Sequence, residues 1–236
     1  MEIISSYLAA GWGAVVLRPS YLNGKQKQGS GSERSVRYPL YRGTDYEEKR
    51  MADLGWIESR DQVPIEETER IIGTLKERFS RSMVIGSMIG SSRDEWLKIS
   101  RRLSQAGADM IECDMTSCIS GGVVDAGELK QMEKVAGYLR DGARNTPVVV
   151  KLPGLLSGRR EVAATLKQAG ADALNIYYEP RGIPGINLAN FVPFPNVGQK
   201  SALCMMGGAA VKPYTLAMLA QWGKVEPGLP LSVLGG

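Results

Sequence analysis

Six runs of the chain are almost continuously apolar: Ala14–Leu17, Met83–Ile89, Met110–Met115, Pro147–Leu152, Ala173–Tyr178 and Leu229–Leu234. A strand with one wet face alternates apolar and polar residues, whereas a strand covered on both faces stays apolar, so these runs predict buried parallel strands. Between them the apolar positions recur at helical spacing. Pro64 opens a helix with Ile71, Leu75 and Phe79 on one face, and Ser92-x-x-Glu95 is a capping box ahead of Trp96, Ile99 and Leu103. Asp125-x-x-Glu128 caps the next, ahead of Leu129, Met132, Val135 and Leu139. Val162 and Leu166 mark a fourth helix, and Pro213 starts a fifth bearing Leu216 and Leu219.

One junction recurs: Ala-Gly-Ala-Asp at 106–109 and 169–172, with a looser Ala-Ala-Gly-Trp-Gly-Ala at 9–14. Each follows a helical pattern and precedes an apolar run. It reads as a helix stopped by glycine, a very short turn and a strand, the return of a β/α protein from outer helix to inner sheet. The fold class expected is α/β, a TIM (β/α)8-type barrel that is incomplete, with six strands recognisable. The chain begins in helix residues Ile3, Ile4, Tyr7 and Leu8 and stops at Gly235-Gly236 after a strand. The first and eighth strands are therefore expected to be missing, leaving open edges for a homo- or hetero-oligomer to cover. Residues 1–236 are expected to form one domain with insertions at about 19–63 and 180–212, both after the C-terminal ends of strands, where β/α folds place ligands. A doubly wound sheet is the alternative, but no Gly-x-Gly-x-x-Gly follows any run.

Composition narrows the chemistry. Histidine is absent, which removes Ser-His-Asp and Cys-His arrangements and the usual zinc ligand; no metal site is expected. Cys113, Cys118 and Cys204 cannot supply four thiolates to an iron–sulfur cluster. The net charge of +4 is matched by one segment, Gly24 to Gly43, with five basic residues against Glu33, so the expected partners do not include nucleic acid. That segment is either a solvated flap or a local anion contact. No window is apolar enough to span a membrane and no signal peptide opens the chain, so a cytoplasmic protein is expected.

Candidate chemistry lies at strand ends. Glu112 and Asp114 share one face of a strand, opposite Cys113 and Met115, because side chains alternate. Thr116, Ser117 and Cys118 follow, leading into a glycine-containing loop able to carry an acid or base over a ligand. Lys151 is an amine in the otherwise apolar Pro147–Leu152, placed to hold an anionic or electron-rich ring edge, or to form a Schiff base with some other phosphorylated ligand. Gly207 and Gly208 lead into the Pro213 helix, a composition that suits phosphate, and Gly235-Gly236 form a second such turn.

Five stretches, Ala10–Val16, Met83–Gly90 with Trp96 following, Ala106–Asp114, Pro147–Leu152 and Gly208–Pro213, resemble in order the FMN-binding barrels of the dihydroorotate and dihydropyrimidine dehydrogenase family. The resemblance implies an FMN cofactor at the C-terminal mouth and a flavin-dependent oxidoreductase. Its substrate would be a small cyclic dihydropyrimidine- or dihydroorotate-like molecule, with hydride moving to or from FMN. It places Lys151 against the flavin ring and Gly207, Gly208, Gly235 and Gly236 at the phosphate. The acid/base falls on Ser117, or on Cys118 with one residue inserted. Arg18, Glu58, Asp114 and Tyr178 occupy substrate-side positions but depart from the family's Lys, Asn, Asn and Asn. Ionised Asp114 and Glu58 can only accept hydrogen bonds, whereas an amide also donates. These departures support an alternative, a catalytically silent, flavin-free barrel subunit of a larger complex.

Overall fold

The computed structural model describes residues 2–22, 36–40, 53–57, 62–120, 123–183, 185–194, 196–197, 200–201 and 203–235. In chain order the elements begin with α1 (Glu2–Ala9), β1 (Ala14–Val16), β2 (Ser20–Tyr21), β3 (Val36–Leu40), β4 (Asp53–Ile57) and β5 (Val63–Pro64). Next come α2 (Ile65–Arg78), β6 (Met83–Met88), α3 (Arg93–Gln105), β7 (Met110–Asp114), a 3-10 helix (Met115–Cys118), α4 (Ala126–Ala143) and β8 (Val148–Pro153). They continue with α5 (Arg159–Gln168), β9 (Ala173–Tyr177), β10 (Arg181–Gly182), β11 (Gly185–Asn187), β12 (Val192–Phe194), β13 (Asn196–Val197) and β14 (Lys200–Ser201). The last are β15 (Cys204–Gly208), α6 (Lys212–Trp222) and β16 (Leu231–Leu234). Two compact units divide the chain: Met1–Gln26, Asp61–Ile176 and Gln221–Ser232 form one, and Lys27–Arg60, Tyr177–Ala220 and Val233–Gly236 the other.

The first unit is built on a parallel sheet in the order β16-β9-β8-β7-β6-β2-β5, with β1 also paired to β6. Successive βα units stand side by side, the winding of a (β/α)8 barrel, and the fold is an incomplete barrel of that kind. The six apolar runs supply its principal strands β1, β6, β7, β8, β9 and β16. β1 and β2 are one strand interrupted, since Ala14 pairs with Met83 and Ser20 with Met88 on the same neighbour. Pro19 between them has no N–H to donate. Its carbonyl accepts the Val63 N–H at 3.0 Å and so seats the dipeptide β5 beside β2.

The recurring Ala-Gly-Ala-Asp junction has a structural purpose. Gly107 and Gly170 take φ of +92° and +104°, the left-handed conformation that ends a helix cheaply only at glycine. The aspartate then reaches back to the neighbouring strand. Asp109 accepts the Val84 N–H at 2.7 Å and pairs with Lys76 of α2 at 2.8 Å. Asp172 accepts the Val148 N–H at 2.7 Å and pairs with Arg140 of α4 at 2.7 Å. Each carboxylate thus ties a strand start to an outer helix. Asp172→Ala is expected to cost about 1.5–3 kcal/mol, the usual worth of hydrogen bonds to a charged group, read as a lower urea midpoint.

Helix faces differ in phase from the sequence expectation. On α2 the buried residues are Ile65, Thr68, Ile72 and Leu75, while Ile71 is half-buried and Phe79 lies past the helix end. On α6 the buried residues are Thr215, Met218 and Trp222, preceded by Val211, and Leu216 is exposed. Both shifts follow the 4-3-4 or 3-4-3 spacing that keeps side chains on one stripe. Asp125 forms a reciprocal capping box with Glu128. Ser92 caps α3 through the Glu95 N–H, and the Glu95 carboxylate accepts from the N–H and hydroxyl of Ser91.

The second unit contains an antiparallel sheet in the order β10-β15-β4-β3. β3 and β4 come from the first long connection and β10 and β15 from the second, so both insertions contribute strands to one small sheet.

Candidate functional site

The face of the main sheet turned from the helices is identified by its alternate set. Ile111 and Cys113 are fully buried, and a Cβ on Gly86, which pairs with Ile111, would meet Leu103 of α3 at 3.1 Å. That set faces the helices. The opposite, inner set is in register across three strands: Ser87 beside Glu112 beside Val149, and Asp114 beside Lys151. Sequence alternation places Glu112 and Asp114 together, and the structure adds that theirs is the inner face.

Asp114 closes β7 and caps the 3-10 helix. Its Oδ1 accepts the Thr116 N–H at 2.8 Å and the Thr116 hydroxyl, and its Oδ2 lies 3.8 Å from Lys151 Nζ. The Asp114 carboxylate is therefore engaged within the chain. Lys151 is not turned out to solvent; 23% of its side chain is exposed. Below this pair is a contact the sequence reading did not find. Asn175 of β9 is buried, and its Nδ2 donates to Glu112 Oε2 at 2.8 Å. The available signal was a lone amide inside the apolar run Ala173–Tyr178. The Asp172 N–H donates to Val148 O, and Lys151 and Asn175 each lie three residues beyond that bond. On parallel strands this sets them level.

Ser117 and Cys118 end the 3-10 helix, Ser117 exposed and Cys118 half-buried. Burial pushes the Cys118 thiol above its usual range; a Ser117 hydrogen bond opposes this and the Asp114 charge adds to it. At neutral pH the group is a thiol, a proton donor rather than a thiolate nucleophile. The chain beyond is fastened where the Ser120 hydroxyl and N–H both donate to Glu128 Oε1, and these bonds, the hydroxyl's first, hold the Glu128 carboxyl below the usual carboxylate range. Gly121 and Gly122 lie outside the described residues. Cys113 and Cys204 are both buried, so Cys118 is the thiol expected to react with iodoacetamide in the native protein. Its alkylation should be slower at pH 8 than that of a free cysteine and rise only above the ordinary thiol range. Ser117→Ala, by removing the bond that favours the thiolate, should slow it further.

The second unit holds the glycine turns. Gly208 ends β15 with φ +115°, and its carbonyl accepts the Val211 N–H at 3.0 Å on the way into α6. Gly207 precedes it and is buried. Gly235 has φ +124°, and a Cβ there would stand 2.6 Å from the Tyr178 carbonyl and 2.9 Å from Thr215 Oγ1. Gly208, the first turn of α6 and Gly235 are thus brought together. The Tyr178 ring stacks on Tyr214 of that turn, with centroids 5.6 Å apart. Arg18 stands exposed at the break between β1 and β2, in the first unit. Glu58 and Gly236 lie outside the described residues. Among the described residues no cluster of His, Cys, Asp or Glu could hold a metal ion, and no helix is long and apolar enough to cross a membrane.

No family model matches the chain. It is similar to the NAD-dependent dihydropyrimidine dehydrogenase subunit PreA of Escherichia coli K12, 31% identical over 198 residues that cover 78% of this chain and 47% of that protein. It is also similar to the dihydroorotate dehydrogenase B (NAD(+)) catalytic subunit of Lachnoclostridium phytofermentans, 28% identical over 172 residues, 71% of this chain and 54% of that one. The corresponding subunit of Caldicellulosiruptor bescii is 25% identical over 160 residues, 65% of this chain and 49% of that one. The chain spans about half the length of the curated relatives it matches. Sheet order and these matches together make it a distant homologue of the dihydropyrimidine and dihydroorotate dehydrogenases.

Proposed function

We propose that the inner face at Lys151 binds the ring of FMN and that the chain carries a hydride-transfer site for a dihydropyrimidine- or dihydroorotate-like cyclic substrate. The observation that carries this reading is Lys151, an ammonium on the inner face level with a buried amide whose oxygen, Asn175 Oδ1, has no partner among the described residues. That donor and acceptor set suits the polar edge of a flavin ring. Bound FMN would supply the hydride acceptor or donor. Lys151 stabilises electron density on the ring edge it faces, an effect strongest where water is excluded. Asp114, held by Thr116, keeps the lysine oriented. Ser117 or Cys118 holds the proton exchanged with substrate, and the raised pKa suits Cys118 to the donor role. Arg18, Glu58 and Tyr178 are assigned to the substrate side. Within the second unit, taken by itself, Gly207, Gly208 and Gly235 are proposed as a phosphate-binding turn: small residues lead to a helix N-terminus, and Gly235 lies where no Cβ fits. Gly236, outside the described residues, is proposed with them from the sequence alone. A partner chain is proposed to deliver electrons, as the relatives are named as subunits.

Asp114 and Lys151 neutralise each other, and this favours one second reading, a flavin-free barrel subunit. Separate Cys118→Ala and Ser117→Ala variants, loaded with FMN and mixed with dihydrouracil or dihydroorotate, distinguish the two. The active reading expects one variant to slow flavin reduction by substrate by about 10²–10⁴-fold while dithionite still reduces it normally. Wild-type rates in both variants would remove these residues from the chemistry, and no substrate-driven reduction in the unmodified protein would favour the silent subunit.

A further inference from the structure

Building on the flavin-barrel reading, we propose that Asn175 is itself a ligand-binding residue, set by Glu112 to accept a hydrogen bond from the ring N–H of a cyclic amide or imide. Asn175 is 6% exposed, as is Glu112, and both lie on the inner face of the sheet. The orientation of an amide is ordinarily ambiguous because its oxygen and nitrogen look alike. Here a carboxylate oxygen decides it. Glu112 Oε2 can only accept, so the NH2 end must face it and Oδ1 must point away. That oxygen has no partner among the described residues. Buried polar atoms without partners are rare in native proteins, and one fixed this firmly calls for a donor from outside the chain.

The neighbourhood defines the donor. Lys151 stands level with Asn175 on the adjacent strand, so a cationic donor is repelled. An N–H next to a carbonyl is suited, because its oxygen meets the ammonium while its hydrogen meets Oδ1. That N–H–C=O edge occurs on the pyrimidine half of a flavin and on a pyrimidine substrate alike. Glu112 is the positioning residue and Asn175 the contact.

The test compares ligands with and without the N–H. Wild-type protein and Asn175→Ala are titrated, by flavin fluorescence, with FMN and with 3-methyl-FMN. In parallel they are titrated calorimetrically with uracil and with 1,3-dimethyluracil. If the flavin is the source, the wild type should bind FMN about tenfold more tightly than 3-methyl-FMN, the usual effect of leaving one buried group unpaired, and Asn175→Ala should bring the ratio to about one. Glu112→Gln, which lets the amide turn, should reduce the ratio without removing it. The two wild-type comparisons need no variant to fold. FMN and 3-methyl-FMN bound equally would overturn the flavin contact while leaving the flavin reading intact. No FMN binding, with uracil preferred to its dimethyl form by the wild type alone, would refute the flavin reading and support Asn175 as a pyrimidine contact. Absence of discrimination in both arms, as when a buried water satisfies Oδ1, overturns the proposal.

Discussion

Replacing Lys151 with methionine is expected to weaken FMN binding by about 10- to 100-fold, the loss that follows removal of a charge-assisted hydrogen bond from a sheltered site. The same change should leave the urea midpoint almost where it was. Its ion pair with Asp114 is long at 3.8 Å and both side chains are partly exposed, a geometry worth about 0–1 kcal/mol. Asp114 keeps its bonds to Thr116 without the lysine. Methionine preserves the length of the apolar stem along β8. The contrast between a large affinity loss and a small stability change separates a ligand-facing lysine from a structural one. A large loss of stability with unchanged flavin affinity would assign Lys151 to the scaffold.

A loss of stability is expected from Gly142→Ala, and it has the opposite sign to the change at Gly137 in the same helix. A Cβ at Gly142 would stand 1.8 Å from Ser100 Oγ and 2.7 Å from the Leu97 carbonyl of α3. Ser100 is tied down by its own bond to the Trp96 carbonyl at 2.7 Å, and the Leu97 oxygen is backbone, so neither yields cheaply. Overpacking of this kind costs about 1–3 kcal/mol, which exceeds the gain of up to about 1 kcal/mol from alanine's helix propensity. The thermal midpoint should fall by roughly 2–4 °C per kcal/mol. At Gly137 nothing lies within 4 Å of the added carbon, so Gly137→Ala should keep the propensity gain and raise the midpoint. A rise in both variants would mean that α3 and α4 do not approach as closely as described.

The barrel strands could be read from the sequence because burial on both faces writes itself as an unbroken apolar run, as in Pro147–Leu152. Helix faces were harder. Ile71 and Leu216 are apolar yet lie off the buried stripe, and composition alone cannot set the phase of a short helix. The small antiparallel sheet was not readable: β15 is Cys-Met-Met-Gly-Gly, with no alternation, and its pairing with β4 joins residues about 150 positions apart in sequence. The junction aspartates looked like strand-entry residues, and their bonds to Val84 and Val148 emerge only when neighbouring strands are in place. At the candidate site Lys151 and Asp114 were visible as polar residues at apolar strand ends. Asn175 was not, because one amide inside an apolar run signals a satisfied core residue as readily as a contact. What marks it is the bond to Glu112, a residue 63 positions earlier, and the oxygen left over.

The most direct test is a visible-absorbance titration of the purified chain with FMN, with dithionite added at saturation. Flavin binding at Lys151 predicts a saturable, one-to-one shift of the flavin bands that bleaches on reduction and is weakened in Lys151→Met. Spectra that stay those of free FMN at every protein concentration would contradict it and leave the chain a barrel without its flavin.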